Sequence, residues 1–120
     1  MTHEYFVWHK KFKEMKPVIV INWRDKTVET KHEIWKMKNC ILLQYSGAED
    51  ELGNRMYDGS IWEFRGKYYI INRERTGFVP YFYDYANKKW KPEDIIFNDR
   101  GEVVGNIYEN EEIVNEIEGV

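Results

Sequence analysis

The side chains that most often carry out chemistry are few in this sequence and far apart. Three histidines, His3, His9 and His32, and a single cysteine, Cys40, are present. A structural zinc site needs four nitrogen or sulfur ligands at characteristic spacings, and no pair of these residues has such a spacing. Cys40 stands in an apolar run typical of a strand, where a buried thiol is usually inert. We therefore predict no metal site and no catalytic nucleophile.

Two polar segments resemble ion or phosphate sites only faintly. Glu49, Asp50 and Glu51 are consecutive acids, whereas a calcium loop alternates its oxygen ligands with other residues. Gly66 and Lys67 are not followed by Ser or Thr, as a phosphate loop requires, and the segment predicts a hairpin. We interpret the acids as a solvated loop. We also predict that the protein is not an enzyme and binds no cofactor.

A basic and aromatic hairpin, residues 62–83, together with the loop of residues 47–59, is the best candidate for a binding surface. Aromatic side chains are favoured at the centres of protein interfaces, and exposed aromatics beside cations also hold single-stranded nucleic acids. Because successive side chains of a strand point to opposite faces, we expect half of these aromatics to face the core. The predicted surface consists of Tyr57, Trp62, Arg65, Lys67, Tyr69 and Arg73.

Short apolar runs between turn residues indicate that the chain folds mostly into β-strands. Four consecutive β-branched residues predict a buried strand over residues 18–23, and the strand that follows is expected to turn Val28 toward the core. Arg65 and Gly66 fit the two-residue turn of a hairpin. Near the C-terminus, Asn110 is a suitable helix cap. The apolar stripe of the helix it begins consists of Ile113, Val114 and Ile117.

The length of the chain limits the number of domains, and its cysteine content indicates a cellular compartment. A chain of 120 residues suits a single domain; two small β lobes, at about residues 1–58 and 59–120 and sharing one core, are the alternative. No apolar run reaches the roughly 18 residues of a membrane span. The start of the chain lacks the basic residues of a signal peptide. A lone cysteine favours a reducing cytoplasm.

Charge is distributed unevenly along the chain, although the net charge is only −3. Residues 1–38 contain nine Lys and Arg against five Asp and Glu, whereas residues 93–120 contain one Arg against nine acids. Solvated surfaces of a folded domain would explain this pattern. Attraction between a basic head and an acidic tail, within one chain or between copies in a homo-oligomer, is the alternative.

Three blocks of this sequence resemble the YopX family, small proteins of temperate phages and prophages. The first has Trp8, a lysine-rich link and Met15; the last is residues 104–110, Val-Gly-Asn-Ile-Tyr-Glu-Asn. The central block is similar to the family signature, a strand ending in Gln-Tyr-Thr-Gly, a polar turn and then Tyr-Glu-Gly-Asp-Ile-Val. Its matching residues are Gln44, Tyr45, Ser46, Gly47, Asp50, Gly53, Tyr57, Asp58, Gly59, Ser60, Ile61 and Trp62.

The resemblance implies a mostly-β fold with lobes like small SH3 barrels or sandwiches, and a phage or prophage origin. It implies no catalytic residues, because none are established for the family. We therefore expect a non-catalytic binding module in the cytoplasm of a bacterial host, with a host or phage protein as its partner. The alternative is a small β-barrel that binds single-stranded nucleic acid through Arg65, Lys67, Tyr69 and Arg73.

Overall fold

A computed structural model describes residues 4–94 and 100–119, which fold into antiparallel strands, a 3₁₀ turn and one short α-helix near the C-terminus. The predicted mostly-β fold with a C-terminal helix is thereby confirmed. The chain divides into two compact units, Met1–Tyr45 and Ser46–Val120. His3 lies outside the described residues.

Strands of the first unit form two small sheets. β1 pairs with β2 on one side and with the beginning of β6 on the other, and β3, β4 and β5 form a separate three-stranded sheet. β6 continues into the second unit. The bounds are β1 (Tyr5–His9), β2 (Glu14–Pro17), β3 (Val20–Asn22), β4 (Thr27–Glu29), β5 (Ile34–Lys36) and β6 (Cys40–Glu49), with the 3₁₀ turn at Met37–Asn39.

The core of the first unit is small and built largely from valines. Val7, Val18, Val28 and Trp35 are buried against one another. Val28 lies opposite Ile21 on β3 and opposite Trp35 on β5, so these three side chains share one face of the three-stranded sheet. The predicted inward orientation of Val28 is therefore confirmed.

The predicted buried strand over residues 18–23 is wrong in its extent and in its burial. The strand covers only Val20–Asn22, and Ile19, Val20 and Trp23 are exposed. Val20 lies opposite Glu29, on the face of the sheet that points away from the core. A run of β-branched residues indicates a strand, but it does not say whether both faces of that strand are covered.

The second unit is built on a five-stranded antiparallel sheet in the order β11-β10-β9-β8-β12. Its core contains Met56, Trp62, Tyr69 and Ile71. The predicted hairpin is confirmed, since Arg65 and Gly66 join β8 to β9 with φ of 52° and 77°. The bounds are β7 (Arg55–Tyr57), β8 (Ser60–Phe64), β9 (Lys67–Glu74), β10 (Gly77–Asp84), β11 (Lys89–Pro92), β12 (Glu102–Asn106) and α1 (Glu111–Glu118).

Asp50 is a buried carboxylate that fastens β12 to the turn after β6. Its oxygens accept hydrogen bonds from the backbone N–H groups of Leu52, Asn54 and Val103, and from the side-chain amide of Asn54, at 2.8–3.1 Å. Desolvation opposes ionisation of Asp50, but these hydrogen bonds outweigh it and lower its pKa. The prediction of a solvated loop is therefore wrong for Asp50.

Helix α1 begins after Asn110 as predicted, but the Asn110 side chain does not cap it. Its Oδ1 instead accepts a hydrogen bond of 3.1 Å from the backbone N–H of Asn106, at the end of β12. Asn110 therefore fixes the strand-to-helix connection. The helix ends at Gly119, whose left-handed φ of 76° lets its N–H bond back to the last turn.

Candidate binding site on the second unit

Two residues of the predicted binding surface, Trp62 and Tyr69, are core residues, so that part of the prediction is corrected. Trp62 is 0% exposed and Tyr69 is 4% exposed. The Trp62 ring stacks on Phe64 at 5.0 Å, and its indole N–H donates a hydrogen bond of 2.9 Å to the carbonyl of Arg100. Because side chains alternate along a strand, the exposed neighbour in β9 is Tyr68 rather than Tyr69.

The remaining predicted residues do not form one continuous surface. Lys67 and Arg73 are exposed at opposite ends of β9, about 20 Å apart at the usual strand rise. Tyr69 lies between them on the same face and is buried. Arg65 is exposed at the β8–β9 turn with its guanidinium 5.0 Å from the Phe64 ring, and Tyr57 is half-buried.

The surroundings of Lys67 combine an ion pair with aromatic rings. Lys67 Nζ lies 3.7 Å from a Glu93 carboxylate oxygen and 5.1 Å from the Phe82 ring centroid. Burial, together with a hydrogen bond to Glu93, raises the pKa of Tyr69 to about 12. The second Glu93 oxygen, Oε2, is buried and accepts no hydrogen bond among the described residues. The positive charge of Lys67 is thus partly neutralised by Glu93, and its amino group lies near the ring of Phe82.

A groove between helix α1 and the sheet brings together exposed tyrosines, and we call it the tyrosine groove. Tyr68 is 40% exposed and Tyr85 is 66% exposed. Both line a cavity of about 260 Å³ and an adjoining cavity of about 160 Å³. The further residues lining the two cavities are Gly66, Lys67, Phe82, Tyr83, Val104, Ile113, Glu116 and Ile117.

Side-chain contacts between helix α1, β10 and β11 hold the residues around the tyrosine groove in place. Trp90 on β11 donates its indole N–H to a Glu118 carboxylate oxygen at 2.9 Å, which ties the end of α1 to the sheet. Tyr83 packs edge-on against both Trp90 and Tyr85, with ring centroids 5.4 and 5.0 Å apart. The groove therefore exists without a ligand having to form it.

The helix side of the tyrosine groove is strongly acidic. Helix α1 has the sequence EEIVNEIE, with four glutamates and no basic residue. The second unit as a whole contains nine Lys and Arg against sixteen Asp and Glu. Lys67, at one end of the groove, is paired with Glu93. The surface thus offers tyrosine rings beside the Glu116 carboxylate, which suits apolar and cationic side chains.

Two of the reactive groups singled out in the sequence, His9 and Cys40, are buried or partly buried in the first unit, whereas His32 is exposed. His9 is buried and stacks on Phe12 at 4.0 Å; its Nδ1 accepts hydrogen bonds from the backbone N–H groups of Lys11 and Phe12. Burial raises the pKa of the Cys40 thiol, which disfavours the nucleophilic thiolate.

Neither a metal centre nor a membrane span is found in residues 4–94 and 100–119. No group of three or more His, Cys, Asp or Glu side chains there is placed to hold a metal ion. None of the helices in that part of the chain is both long enough and apolar enough to cross a membrane.

Comparisons with other proteins give a family and a related fold. The model of the family described as "YopX protein" matches residues 3–115. The crystal structure of protein EF1440 from Enterococcus faecalis superposes with a TM-score of 0.67 at 19% sequence identity, covering 92% of this chain and 96% of that one. At this identity the likeness concerns the fold alone. No curated protein matches the chain in sequence.

Proposed function

Because the chain belongs to the YopX family, we propose that it works as a phage or prophage accessory protein that binds a host or phage protein without catalysing a reaction. The observation that carries this proposal is the exposure of Tyr68 and Tyr85 along two adjoining cavities. Exposed aromatic side chains over a preformed groove are typical of the centre of a binding site.

The size and chemistry of the tyrosine groove favour an extended peptide segment over a small molecule. Its two cavities, of about 260 and 160 Å³, are each smaller than the roughly 300–1,000 Å³ of small-molecule pockets. A peptide can instead lay successive side chains into both. Tyrosine faces accommodate proline and aliphatic side chains, as in other aromatic-lined peptide grooves, and Glu116 would attract a Lys or Arg of the peptide.

A peptide-display selection with the full chain as bait tests this proposal. We expect the selected peptides to combine Pro or aliphatic residues with Lys or Arg. A Tyr68→Ala/Tyr85→Ala double variant should lose at least about tenfold in affinity for them, because each buried aromatic anchor contributes on the order of 1–2 kcal/mol. Fluorescence anisotropy with the labelled peptides provides the measurement.

Two further variants serve as controls for that selection. A Tyr68→Phe/Tyr85→Phe double variant retains the ring faces and should bind within about threefold of wild type. Leu52→Ala removes another exposed apolar side chain of the second unit, one that does not line the tyrosine groove, and should leave affinity unchanged. Selection of no peptide, or equal losses for Leu52→Ala and the tyrosine-to-alanine variant, would contradict the proposal.

We place this interaction in the cytoplasm of the bacterial host. Cys40 is a free thiol in the structure, and unpaired cysteines persist best in a reducing compartment. Cell fractionation of a strain expressing the full chain tests this point, and recovery of the protein in the secreted fraction would overturn it.

A further inference from the structure

The first unit carries a basic surface that neither the predicted hairpin nor the tyrosine groove includes. Two backbone hydrogen bonds assemble it from separate segments. The N–H of Lys10, after β1, donates to the carbonyl of Asn39 at 2.9 Å, and the N–H of Met37 donates to the carbonyl of Lys26 at 2.9 Å. We call the surface the basic edge; its lysines are Lys10, Lys26, Lys36 and Lys38, all exposed.

The acids of the first unit that form ion pairs do so with Lys16, which is not part of the basic edge. Glu14 and Glu33 are both within 4.0 Å of Lys16, at 3.7 and 3.1 Å. Asp25, the acid nearest in sequence to the edge, accepts a hydrogen bond of 3.0 Å from the Asn22 amide. Within residues 4–94 and 100–119, no carboxylate oxygen lies within 4.0 Å of an amino group of these four lysines.

A cleft beside these lysines gives the basic edge a concave part. The cleft has a volume of about 500 Å³, and Lys26, Lys36 and Lys38 line it together with Asp25, Thr27 and Met37. Three lysines against one aspartate leave the lining of the cleft with a net positive charge, which attracts anionic groups.

Two exposed aromatic side chains lie near lysines of the basic edge in sequence, Phe12 two residues after Lys10 and Trp23 three residues before Lys26. Phe12 is 57% exposed; one face of its ring stacks on His9 at 4.0 Å, so its exposed area lies on the other side. Trp23 is 67% exposed on the turn between β3 and β4. That turn is fixed by Asn22, whose Oδ1 accepts the Asp25 N–H at 2.9 Å.

We propose that the basic edge binds single-stranded nucleic acid, with backbone phosphates on its lysines and bases stacked on Phe12 and Trp23. Cationic grooves beside exposed aromatic rings hold single strands in this way, since every unpaired base offers a face for stacking. An acidic protein segment could also pair with the lysines, but a single strand carries a stacking face beside every phosphate and so matches the lysines and the two rings together. The sequence placed such a site on Arg65, Lys67, Tyr69 and Arg73; the proposal moves it to the first unit.

Fluorescence anisotropy with a labelled oligonucleotide of about 12 nucleotides tests the proposal on the full chain. Binding should be tightest at low salt and should weaken steeply as salt rises, because phosphate contacts release counterions. Trp23→Ala and Phe12→Leu should each weaken binding about fivefold or more through lost stacking. Phe12→Leu keeps an apolar side chain against His9, and melting curves confirm that each variant is folded.

Charge variants test whether binding depends on the lysines of the basic edge or on the positive charge of the first unit in general. The double variant Lys36→Glu/Lys38→Glu should weaken binding at least about tenfold and reduce the salt slope by about two. The control is Lys31→Glu, because Lys31 is an exposed lysine of the same unit that lines a different cavity. We expect the control to change affinity by less than about threefold.

Three results would overturn the proposal. The first is absence of oligonucleotide binding at low salt. The second is equal binding of polyglutamate or of a duplex of the same length, which would assign the edge to an acidic protein or to polyanions in general. The third is self-association at low salt that Lys36→Glu/Lys38→Glu abolishes, seen by light scattering, because a second copy would then occupy the edge.

Discussion

The two units of this protein are both built from antiparallel β-strands, but the first has an excess of basic residues and the second an excess of acidic residues. The first contains nine Lys and Arg against five acids, and exposes Phe12 and Trp23 beside lysines; the second contains nine against sixteen, and exposes Tyr68 and Tyr85 beside glutamates. The comparison shows that similar β architecture can carry surfaces of different chemistry. The side chains, rather than the strands themselves, decide what each surface can bind.

The units also differ in what holds them together, and this difference can be tested. The core of the first unit is apolar and small, centred on Val7, Val18, Val28 and Trp35. The second unit adds a buried carboxylate, Asp50, that joins distant segments through four hydrogen bonds.

The largest expected effect comes from replacing that carboxylate. In Asp50→Asn one accepting oxygen becomes an NH₂ group facing N–H donors, so two hydrogen bonds to a charged group are lost. We expect the free energy of unfolding to fall by about 3–4 kcal/mol, measured by urea denaturation. Glu51→Gln makes the same chemical change at an exposed neighbour and should shift stability by less than about 0.5 kcal/mol. Equal stabilities of the two variants would contradict the role assigned to Asp50.

A smaller loss is expected from a core truncation in the first unit. Val28→Ala deletes two methyl groups from a fully buried side chain and should cost about 2 kcal/mol. Hydrogen exchange should then accelerate at the amides of β1, β4 and β5 while amides of the second unit stay protected. Val20→Ala, at an exposed valine of the same unit, is the matched control. Acceleration spread evenly over the whole chain would show that the two units unfold as one.

The third effect is absent at neutral pH and appears only at alkaline pH, in the second unit. The pKa of Tyr69 is raised from 10.0 to about 12 by burial and by its hydrogen bond to Glu93. The folded state therefore holds this proton more tightly than the unfolded chain does. The resulting stability is complete below pH 10 and is lost as pH rises toward 12. Tyr69→Phe should lack this loss in denaturation series at pH 9–12, and identical pH profiles for the two proteins would contradict the assignment.

Local sequence signals predicted much of the fold. Arg65-Gly66 gave the β8–β9 turn, since both residues must accept positive φ, and the stripe ending at Ile117 gave the helix. The tyrosine groove was missed because Tyr68 and Tyr69 are adjacent and chemically alike. A shift of one residue exchanges the two faces of a strand, so only the surrounding structure decides which ring is exposed.

Burial of Asp50 was missed for another reason. Its partner Val103 is 53 residues away in sequence, and no local sequence pattern predicts a contact over such a distance. The exposure of residues 19 and 20 depends likewise on what covers the outer face of β3, which the apolar run itself does not encode. The basic edge joins Lys10 to the segment 36–39 through backbone hydrogen bonds, so its lysines are separated in sequence although they are neighbours in space.

The hydrogen bond between Asp50 and Val103 has a consequence for the order of folding during synthesis. The strand pairs of the first unit are complete once Gln44 has left the ribosome. The second unit cannot close its carboxylate contact until Val103 has emerged, at least several seconds later at bacterial elongation rates of about 5–20 residues per second. During that interval β8 lacks its partner strand β12, and its unpaired edge is open to mispairing.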